Sequence, residues 1–163
     1  MACLLVVDDE PVNLEIIAEF LRDQSHELVF ARDGRAAWEM LEATPERFDA
    51  VILDRMMPRM DGMEVLRRLK ADARFGTIPV IMQTAAATPA QVADGLAAGA
   101  WYYLAKPYQE AALNGIVRAA LSDHRSRREL VRVGDELRGM LAMTQRARYR
   151  FRSPKQARML AAA

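Results

Sequence analysis

The order of apolar segments along this chain limits its fold more than any other feature of the sequence. Five short apolar runs alternate with segments in which apolar residues recur every three or four positions. We predict strands at residues 3–7, 27–31, 50–53, 78–83 and 101–104, and helices at residues 12–23, 34–43, 62–71 and 89–98, with a fifth helix beginning near residue 109. This alternation indicates an α/β fold in which a parallel sheet carries helices on both faces.

Composition indicates a folded domain with an appendage. The chain has 163 residues, of which 52% are hydrophobic, and that suits one domain of ordinary size. The single cysteine, Cys3, lies in the first predicted strand, which excludes an intramolecular disulfide and indicates a reducing compartment. No apolar stretch approaches the roughly 18–20 residues that span a bilayer, and residues 1–7 lead into acidic residues without a basic leader. We therefore expect a cytoplasmic protein without a membrane segment.

Charge is distributed unequally along the chain. Residues 1–121 contain 12 basic and 18 acidic side chains, a balance of −6, whereas residues 122–163 contain 11 and 4, a balance of +7. The acidic part indicates a metal-binding domain, and the basic part a linker, a partner surface or the start of another domain. We accordingly predict a first domain at residues 2–121, a helical extension or linker at residues 122–144, and a basic tail at residues 145–163 that would begin a truncated output domain.

Charged and polar side chains follow four of the predicted strands. Asp8 and Asp9 come after the first strand, Asp54 after the third, Thr84 after the fourth and Lys106 after the fifth. The ligand crevice of an open parallel sheet lies at the carboxyl ends of its strands, so these side chains should converge. Clustered carboxylates repel one another, and Mg²⁺ relieves that repulsion while leaving a place for phosphate oxygens. The sequence thus predicts a phosphoryl-transfer site, with Asp54 as nucleophile, Lys106 neutralising charge and the Thr84 hydroxyl donating to a phosphoryl oxygen.

Five separated motifs together resemble one known family. They are Asp8-Asp9, the segment D-x-x-M-P-x-M-D-G that begins at Asp54, Thr84-Ala85, Gly99-Ala100 and Tyr103-x-x-Lys106-Pro107. Over roughly residues 2–121, these motifs resemble the receiver domain of two-component response regulators. The resemblance implies a flavodoxin-like sheet of five parallel strands in the order 2-1-3-4-5.

The resemblance also implies how the acidic residues act. Asp54 would be the phosphoacceptor, which a histidine kinase or a phosphotransfer protein phosphorylates from a phosphohistidine. Asp9, Asp54 and the backbone carbonyl of Met56 would bind Mg²⁺ directly, and Asp8 would bind it through water. The chain would then be a phosphoprotein of a signalling pathway, with no enzymatic activity beyond its own phosphorylation and dephosphorylation.

Further roles implied by the resemblance concern the switch. Thr84 and Tyr103 would form the switch pair, in which the hydroxyl moves to the phosphoryl group and the ring turns inward. This movement would change the face made by the fourth helix, fifth strand and fifth helix, and so control an output domain or a partner. Lys106 would pair with the phosphate, and its peptide bond to Pro107 would be cis.

Two other classes of function stay open. A hydrolase of the haloacid dehalogenase type also uses an aspartyl-phosphate, but it expects Asp-x-Asp after its first strand, whereas here the carboxylates are adjacent and Asp54 follows the third strand. A degenerate receiver that serves only as a binding scaffold is the other class, although all the residues needed for the chemistry are present. Asp8-Asp9 taken alone would also suit a turn that caps the first helix.

The segment after residue 121 is predicted to continue the fifth helix as an amphipathic extension. One face of it carries a three-four-three pattern of apolar residues, which we call the extension stripe: Leu130, Val133, Leu137 and Met140. Two glycines, Gly134 and Gly139, each cost a helix about 1 kcal/mol relative to alanine. A seam barely two heptads long therefore needs a partner, either its twin in a homodimer or a further domain.

The last residues allow two interpretations. Arginine alternates with Ala, Tyr and Phe over residues 146–152, which predicts a strand, and Ser153-Pro154 then resembles a helix start. This pattern loosely resembles the entry to an ATPase-like output domain of some response regulators. Basic and aromatic residues can also bind nucleic acid, but no helix-turn-helix pattern is visible and we do not expect DNA readout.

His26 and His124 lack a second histidine at ligand spacing, so both are predicted to lie on the surface.

Overall fold

A computed structural model describes residues 1–85 and 87–150 of the chain, with side chains described up to residue 144. Strands and helices alternate along this part. The strands are β1 (Cys3–Val7), β2 (Glu27–Ala31), β3 (Ala50–Asp54), β4 (Val80–Thr84) and β5 (Tyr102–Ala105). The helices are α1 (Pro11–Phe20), α2 (Gly34–Ala43), α3 (Gly62–Ala71), α4 (Pro89–Ala97) and α5 (Glu110–Arg150), and a short 3-10 turn at Arg22–Gln24 follows α1.

The five strands form one sheet in the order β2-β1-β3-β4-β5, and every neighbouring pair is parallel. The predicted flavodoxin-like α/β fold and its strand order are therefore confirmed. Register places Val7 beside Leu53, and Thr84 beside Ala105. Because these residues stand at or next to the carboxyl ends of their strands, β1, β3, β4 and β5 finish along one edge of the sheet.

Two apolar layers cover the sheet. One contains Leu53 and Met82 and packs with α2 and α3, and the other contains Ile52 and Ile81 and packs with α1 and α5. Successive residues of a strand point to opposite faces, so successive positions of a strand covered on both faces are expected to be apolar. This explains the continuous apolar runs at residues 50–53 of β3 and 80–82 of β4, whereas the buried Gln83 and Thr84 of β4 are polar.

Several element boundaries differ from the sequence prediction, and the two largest differences have local reasons. Strand β4 begins at Val80 rather than at residue 78, because Pro79 has no N–H to donate to a neighbouring strand. Helix α1 ends at Phe20 rather than at residue 23, and the backbone tightens there into the 3-10 turn. The start of α3 is capped by Asp61, whose side chain accepts a hydrogen bond from the backbone N–H of Glu64.

The prediction of a strand at residues 146–152 is wrong for the residues that the structure describes. Helix α5 continues through Arg150. Extending an existing helix adds one hydrogen bond for each residue fixed, and alanine and arginine are good helix formers. A short two-residue alternation does not outweigh these effects. The helix start predicted at Ser153-Pro154 lies outside the described residues.

The chain divides into two compact units, the first spanning Met1–Arg125 and the second beginning at Ser126. In the first unit, α5 buries Val117 and Leu121 against the sheet. His124 is buried as well, and its Nδ1 lies 3.1 Å from the backbone oxygen of Thr77, so its predicted surface position is wrong. Helical periodicity places residue 124 on the same face as residues 117 and 121. His26 is half-buried.

In the second unit, the residues of the extension stripe are exposed, with Leu130 at 72% and Leu137 at 55% of their full exposure. Neighbouring Leu141 and Met143 are exposed too. This part of α5 therefore presents an apolar face that nothing within its own unit covers among the described residues. None of the helices in the described part of the chain is long and apolar enough to cross a membrane.

Candidate functional site

Two acidic side chains and one lysine meet at the carboxyl edge of the sheet. Lys106 Nζ lies 2.7 Å from Oδ2 of Asp8 and 2.6 Å from Oδ1 of Asp54. Asp8 follows β1, Asp54 ends β3 and Lys106 follows β5. Both carboxylates are buried, at 1% and 5% exposure, so the single ammonium group compensates two negative charges that water barely reaches.

Asp8 accepts hydrogen bonds at both of its oxygens. Oδ1 accepts from the backbone N–H of Glu10 and from Nδ2 of Asn13, both at 3.0 Å. Oδ2 accepts from Nε2 of Gln83 at 3.1 Å in addition to Lys106. Because a buried carboxylate costs free energy unless it is paired and hydrogen-bonded, these contacts explain how Asp8 is tolerated in the core.

Burial and neighbouring charges act against each other at Asp54. Burial raises the pKa of this carboxyl group, the hydrogen bond and charge of Lys106 lower it, and the nearby charge of Asp8 raises it again, with a raised pKa as the result. At Lys106, burial lowers the pKa, but the hydrogen bonds to Asp54 and Asp8 outweigh it and the pKa is raised. The lysine is therefore firmly cationic, and Asp54 is more basic than an ordinary aspartate. Its second oxygen accepts from the backbone N–H of Met56 at 2.7 Å.

The acidic residues were predicted to hold Mg²⁺, and their chemistry fits that ion. No three His, Cys, Asp or Glu side chains gather into a metal cluster in the described ranges. Mg²⁺ in phosphate sites, however, is held by one or two carboxylates together with water and phosphate oxygens. Asp8 and Asp54 already converge on one cation, the ammonium of Lys106. Asp9 is the next residue in the chain after Asp8 and is half-buried.

The two residues of the predicted switch pair lie on neighbouring strands. Thr84 is the last residue of β4 and is fully buried. Tyr103 is half-buried in β5, with its ring against Gly95 of α4, where a β-carbon would fall 2.6 Å from ring atom Cε2. The Tyr103 hydroxyl accepts a hydrogen bond from Nη1 of Arg55 at 3.2 Å.

Sequence reasoning missed three residues of the site. Arg55 joins the loop after β3 to α4, because its Nη1 also donates to the backbone oxygen of Gln91 at 3.0 Å. Gln83 is fully buried in β4, and its Oε1 accepts from the Tyr108 hydroxyl at 2.7 Å. Burial, with the charges of Asp8 and Asp54, raises the pKa of Tyr108 to about 12. An amide in an otherwise apolar strand was the one signal in the sequence that pointed to this network.

An open cavity of about 400 Å³ lies beside Lys106. It is lined by Asn13, Ile16, Ala85, Lys106, Pro107 and Tyr108. The peptide bond between Lys106 and Pro107 is cis, the isomer that the family resemblance implies. The cavity gives solvent and other molecules a path to the lysine from the side of α1.

A parallel sheet in the order 2-1-3-4-5, with two carboxylates and a lysine at its carboxyl edge, is the arrangement of a signalling receiver domain. The family model of the response regulator receiver domain matches residues 4–118. The chain therefore belongs to the response regulator receiver family, as its motifs suggested. Members of this family are signalling domains rather than classical enzymes.

Individual relatives agree with this assignment. The chain is 37% identical over 118 residues to response regulator MprA of Mycolicibacterium vanbaalenii, a match that covers 72% of this chain and 49% of that protein. It is 38% identical over 106 residues to the chemotaxis protein CheY1 of Helicobacter pylori, covering 64% of this chain and 85% of that protein. The chain thus spans about half the length of several curated relatives that it matches.

Solved structures show the same fold. The chemotaxis protein CheY4 of Vibrio cholerae superposes with a TM-score of 0.68 at 30% identity, covering 74% of this chain and 98% of that one. A signal receiver domain of a histidine kinase from Syntrophus aciditrophicus gives a TM-score of 0.69 at 34% identity, covering 75% of this chain and 91% of that one.

Proposed function

We propose that this chain is a phosphorylation-controlled switch in which Asp54 accepts a phosphoryl group from the phosphohistidine of a histidine kinase or phosphotransfer protein. The observation that carries this proposal is the contact of Lys106 with Asp54 and Asp8 at the open edge of the sheet. An oxygen of Asp54 forms the new bond to phosphorus while the bond from phosphorus to the imidazole nitrogen breaks. The imidazole keeps the electron pair and takes up a proton. The raised pKa of Asp54 suits a nucleophile.

Mg²⁺ is the cofactor of the proposed reaction. Asp9, Asp54 and the backbone carbonyl of Met56 would hold it directly, and Asp8 through water. When bound, the ion neutralises charge on the phosphoryl oxygens. Lys106 adds a second positive charge to the same group, and it keeps that charge because its pKa is raised. Together they offset the negative charge that the transfer brings to an already acidic site.

Thr84 and Tyr103 would convert phosphorylation into a change of shape. The Thr84 hydroxyl stands at the end of β4, next in the sheet to β5 where Tyr103 lies. Movement of Thr84 toward the phosphoryl group would free space for the Tyr103 ring to turn inward. Because Tyr103 also touches α4 through Gly95, its movement alters the face made by α4, β5 and α5.

We further propose that residues 2–121 act as the receiver, that residues 122–144 act as a helical extension, and that residues 145–163 lead into an output domain. The extension would form a homodimer through the extension stripe, because a helix with an uncovered apolar face gains free energy by burying it. We also propose a cytoplasmic location, because histidine kinases form the proposed phosphohistidine donor from ATP in that compartment. Nucleic acid is not a proposed ligand of this chain.

The phosphorylation proposal is tested with a small phosphodonor and intact-mass measurement. The parent chain with Mg²⁺ should gain one phosphoryl group, and Asp54→Asn should gain none. Asp94→Asn, which changes an exposed aspartate of α4, is the matched control and should be labelled like the parent. Labelling of Asp54→Asn would refute the site, and labelling that survives chelation of Mg²⁺ would refute the metal.

The dimer proposal is tested separately by sedimentation of the full chain. Leu137→Glu places a charge in the extension stripe and should give a monomer. Ala142→Glu adds the same charge at an exposed position of α5 outside the stripe and should leave the dimer intact. A parent chain that is monomeric with and without phosphorylation would refute the homodimer.

A further inference from the structure

A chain of hydrogen bonds runs from the half-buried Tyr108 through the buried Gln83 to Asp8 and has no role in the chemistry proposed above. The Tyr108 hydroxyl donates to Oε1 of Gln83 at 2.7 Å, and Nε2 of Gln83 donates to Oδ2 of Asp8 at 3.1 Å. Gln83 is completely buried, in a strand whose neighbouring residue Met82 is apolar and equally buried. A buried amide costs free energy unless both its ends are hydrogen-bonded. Here both ends are used, and one of them meets the acidic site.

The direction of these hydrogen bonds is fixed by their chemistry. An ionised aspartate only accepts, so Gln83 must present its NH₂ group to Asp8. Oε1 of Gln83 then faces Tyr108, whose hydroxyl must donate. Burial raises the pKa of Tyr108 to about 12, so that hydroxyl keeps its proton at neutral pH. Tyr108 therefore fixes the orientation of the amide, and the amide in turn contacts Asp8.

The contact of Gln83 with Asp8 gains importance when Lys106 moves. Oδ2 of Asp8 has two donors, Gln83 and Lys106. Once Asp54 carries a phosphoryl group, Lys106 is drawn to the phosphoryl oxygens. Gln83 is then the donor that remains on this oxygen, and it does not depend on the state of Asp54. The amide of Gln83 can therefore hold the carboxylate of Asp8 in place both before and after Asp54 is phosphorylated.

We propose that Gln83 is a positioning residue for the cation site, that its amide orients the carboxylate of Asp8 toward Mg²⁺, and that Tyr108 acts by holding that amide. This inference rests on the proposed function for the presence of Mg²⁺. Hydrogen-bond partners of metal-binding side chains commonly change metal affinity by about 10- to 100-fold when they are removed. Gln83 makes such a contact to Asp8, which the proposed function places on Mg²⁺ through water, so we expect an effect at the lower end of this range.

The test measures Mg²⁺ binding to the full chain by calorimetry, without a phosphodonor. Gln83→Met keeps the length of the side chain but has no amide, and it should weaken Mg²⁺ binding about tenfold. Tyr108→Phe should weaken it by a smaller factor. The double variant should bind no more weakly than Gln83→Met alone, because Tyr108 acts only through Gln83. Met82→Leu, the adjacent buried residue on the opposite face of β4, is the control and should bind like the parent.

Thermal unfolding without Mg²⁺ separates positioning from folding. Each single variant should lower the unfolding midpoint by about 5 °C, because it leaves a buried partner without its hydrogen bond. The double variant should recover part of that loss, since it removes both members of the Tyr108–Gln83 bond. Additive loss in the double variant would overturn the relay from Tyr108.

The affinity measurements distinguish the two proposals. If the parent binds Mg²⁺ and Gln83→Met binds it equally well, the positioning role is overturned while the proposed function stands. If the parent itself does not bind Mg²⁺, the metal of the proposed function is refuted. The positioning role of Gln83 is then overturned as well, because it depends on that metal. Weaker binding by Gln83→Met, together with unchanged binding by Met82→Leu, supports the proposal.

Discussion

The ring of Tyr103 packs so closely on Gly95 that a β-carbon at position 95 would lie 2.6 Å from ring atom Cε2 and 3.1 Å from Cδ2. Gly95 is a buried residue inside α4, where glycine is a poor helix former. Its absence of a side chain gives the aromatic ring the space that it occupies. The position of the proposed switch ring is therefore set partly by a residue on another element.

We expect Gly95→Ala to displace the Tyr103 ring and to stabilise the fold only when that ring is absent. Alanine at a helical position should add about 1 kcal/mol of stability, but in the parent the clash with the ring should cancel this gain. In a Tyr103→Ala background the full gain should appear. Urea unfolding of the parent, Gly95→Ala, Tyr103→Ala and the double variant measures how much stability Gly95→Ala adds in each background. Gly115→Ala in α5, where a β-carbon meets open space, should stabilise both backgrounds equally, and an equal gain from Gly95→Ala in both would contradict the argument.

Arg55 should restrain the first turns of α4. Its guanidinium donates to the backbone oxygen of Gln91 and to the Tyr103 hydroxyl. Arg55→Met keeps the apolar stem and removes both hydrogen bonds, so backbone amides of α4 should exchange with solvent faster. Hydrogen exchange followed by mass spectrometry measures this. Arg59→Met, which removes an arginine of the same loop that pairs with Asp33, is the control, and equal exchange in both variants would contradict the proposed restraint.

The raised pKa of Asp54 predicts how its removal changes stability with pH. Because the folded state holds the proton more tightly than the unfolded state, the ionised group lowers the free energy of unfolding above its folded pKa. Asp54→Asn should therefore be more stable than the parent at pH 7. This advantage should shrink as the pH falls through the raised pKa toward the ordinary value of 3.8. Urea unfolding of Asp54→Asn and the parent from pH 7 to pH 3 measures the trend. A stability advantage of Asp54→Asn that grows on acidification would contradict the raised pKa of Asp54.

His124 should contribute to the stability of the first unit. It is buried, and its Nδ1 contacts the backbone oxygen of Thr77, which lies just before β4. His124→Ala removes that contact and leaves a cavity, so we expect a loss of about 2 kcal/mol in the free energy of unfolding. Arg128→Ala, at an exposed position of α5, should change stability by less than about 0.5 kcal/mol. Equal effects of the two substitutions would contradict the assigned role of His124.

Sequence periodicity predicted the elements of the sheet because each depends mostly on neighbours in the chain. The continuous apolar runs at residues 50–53 of β3 and 80–82 of β4 follow from burial on both faces, and the position of Asp54 follows from the end of the first run. The convergence of Asp8, Asp54 and Lys106 could also be inferred, since parallel strands end at a common edge. The alternation of arginine with other residues at 146–152 led to a wrong strand prediction, because it is short and directly follows helix α5, which continues through Arg150.

The sequence by itself determined the α/β class, the acidic edge and the family to which the chain belongs. Only the tertiary structure decided which side chains support that edge. The bonds from Gln83 to Asp8 and from Arg55 to Tyr103 join residues 75 and 48 positions apart. Such pairs meet only when strand order, register and the facing of each residue are all fixed together, and no local pattern records that combination. Short sequence motifs therefore predict which residue types carry the chemistry of the site. The contacts between those residues depend on the packing of the whole sheet.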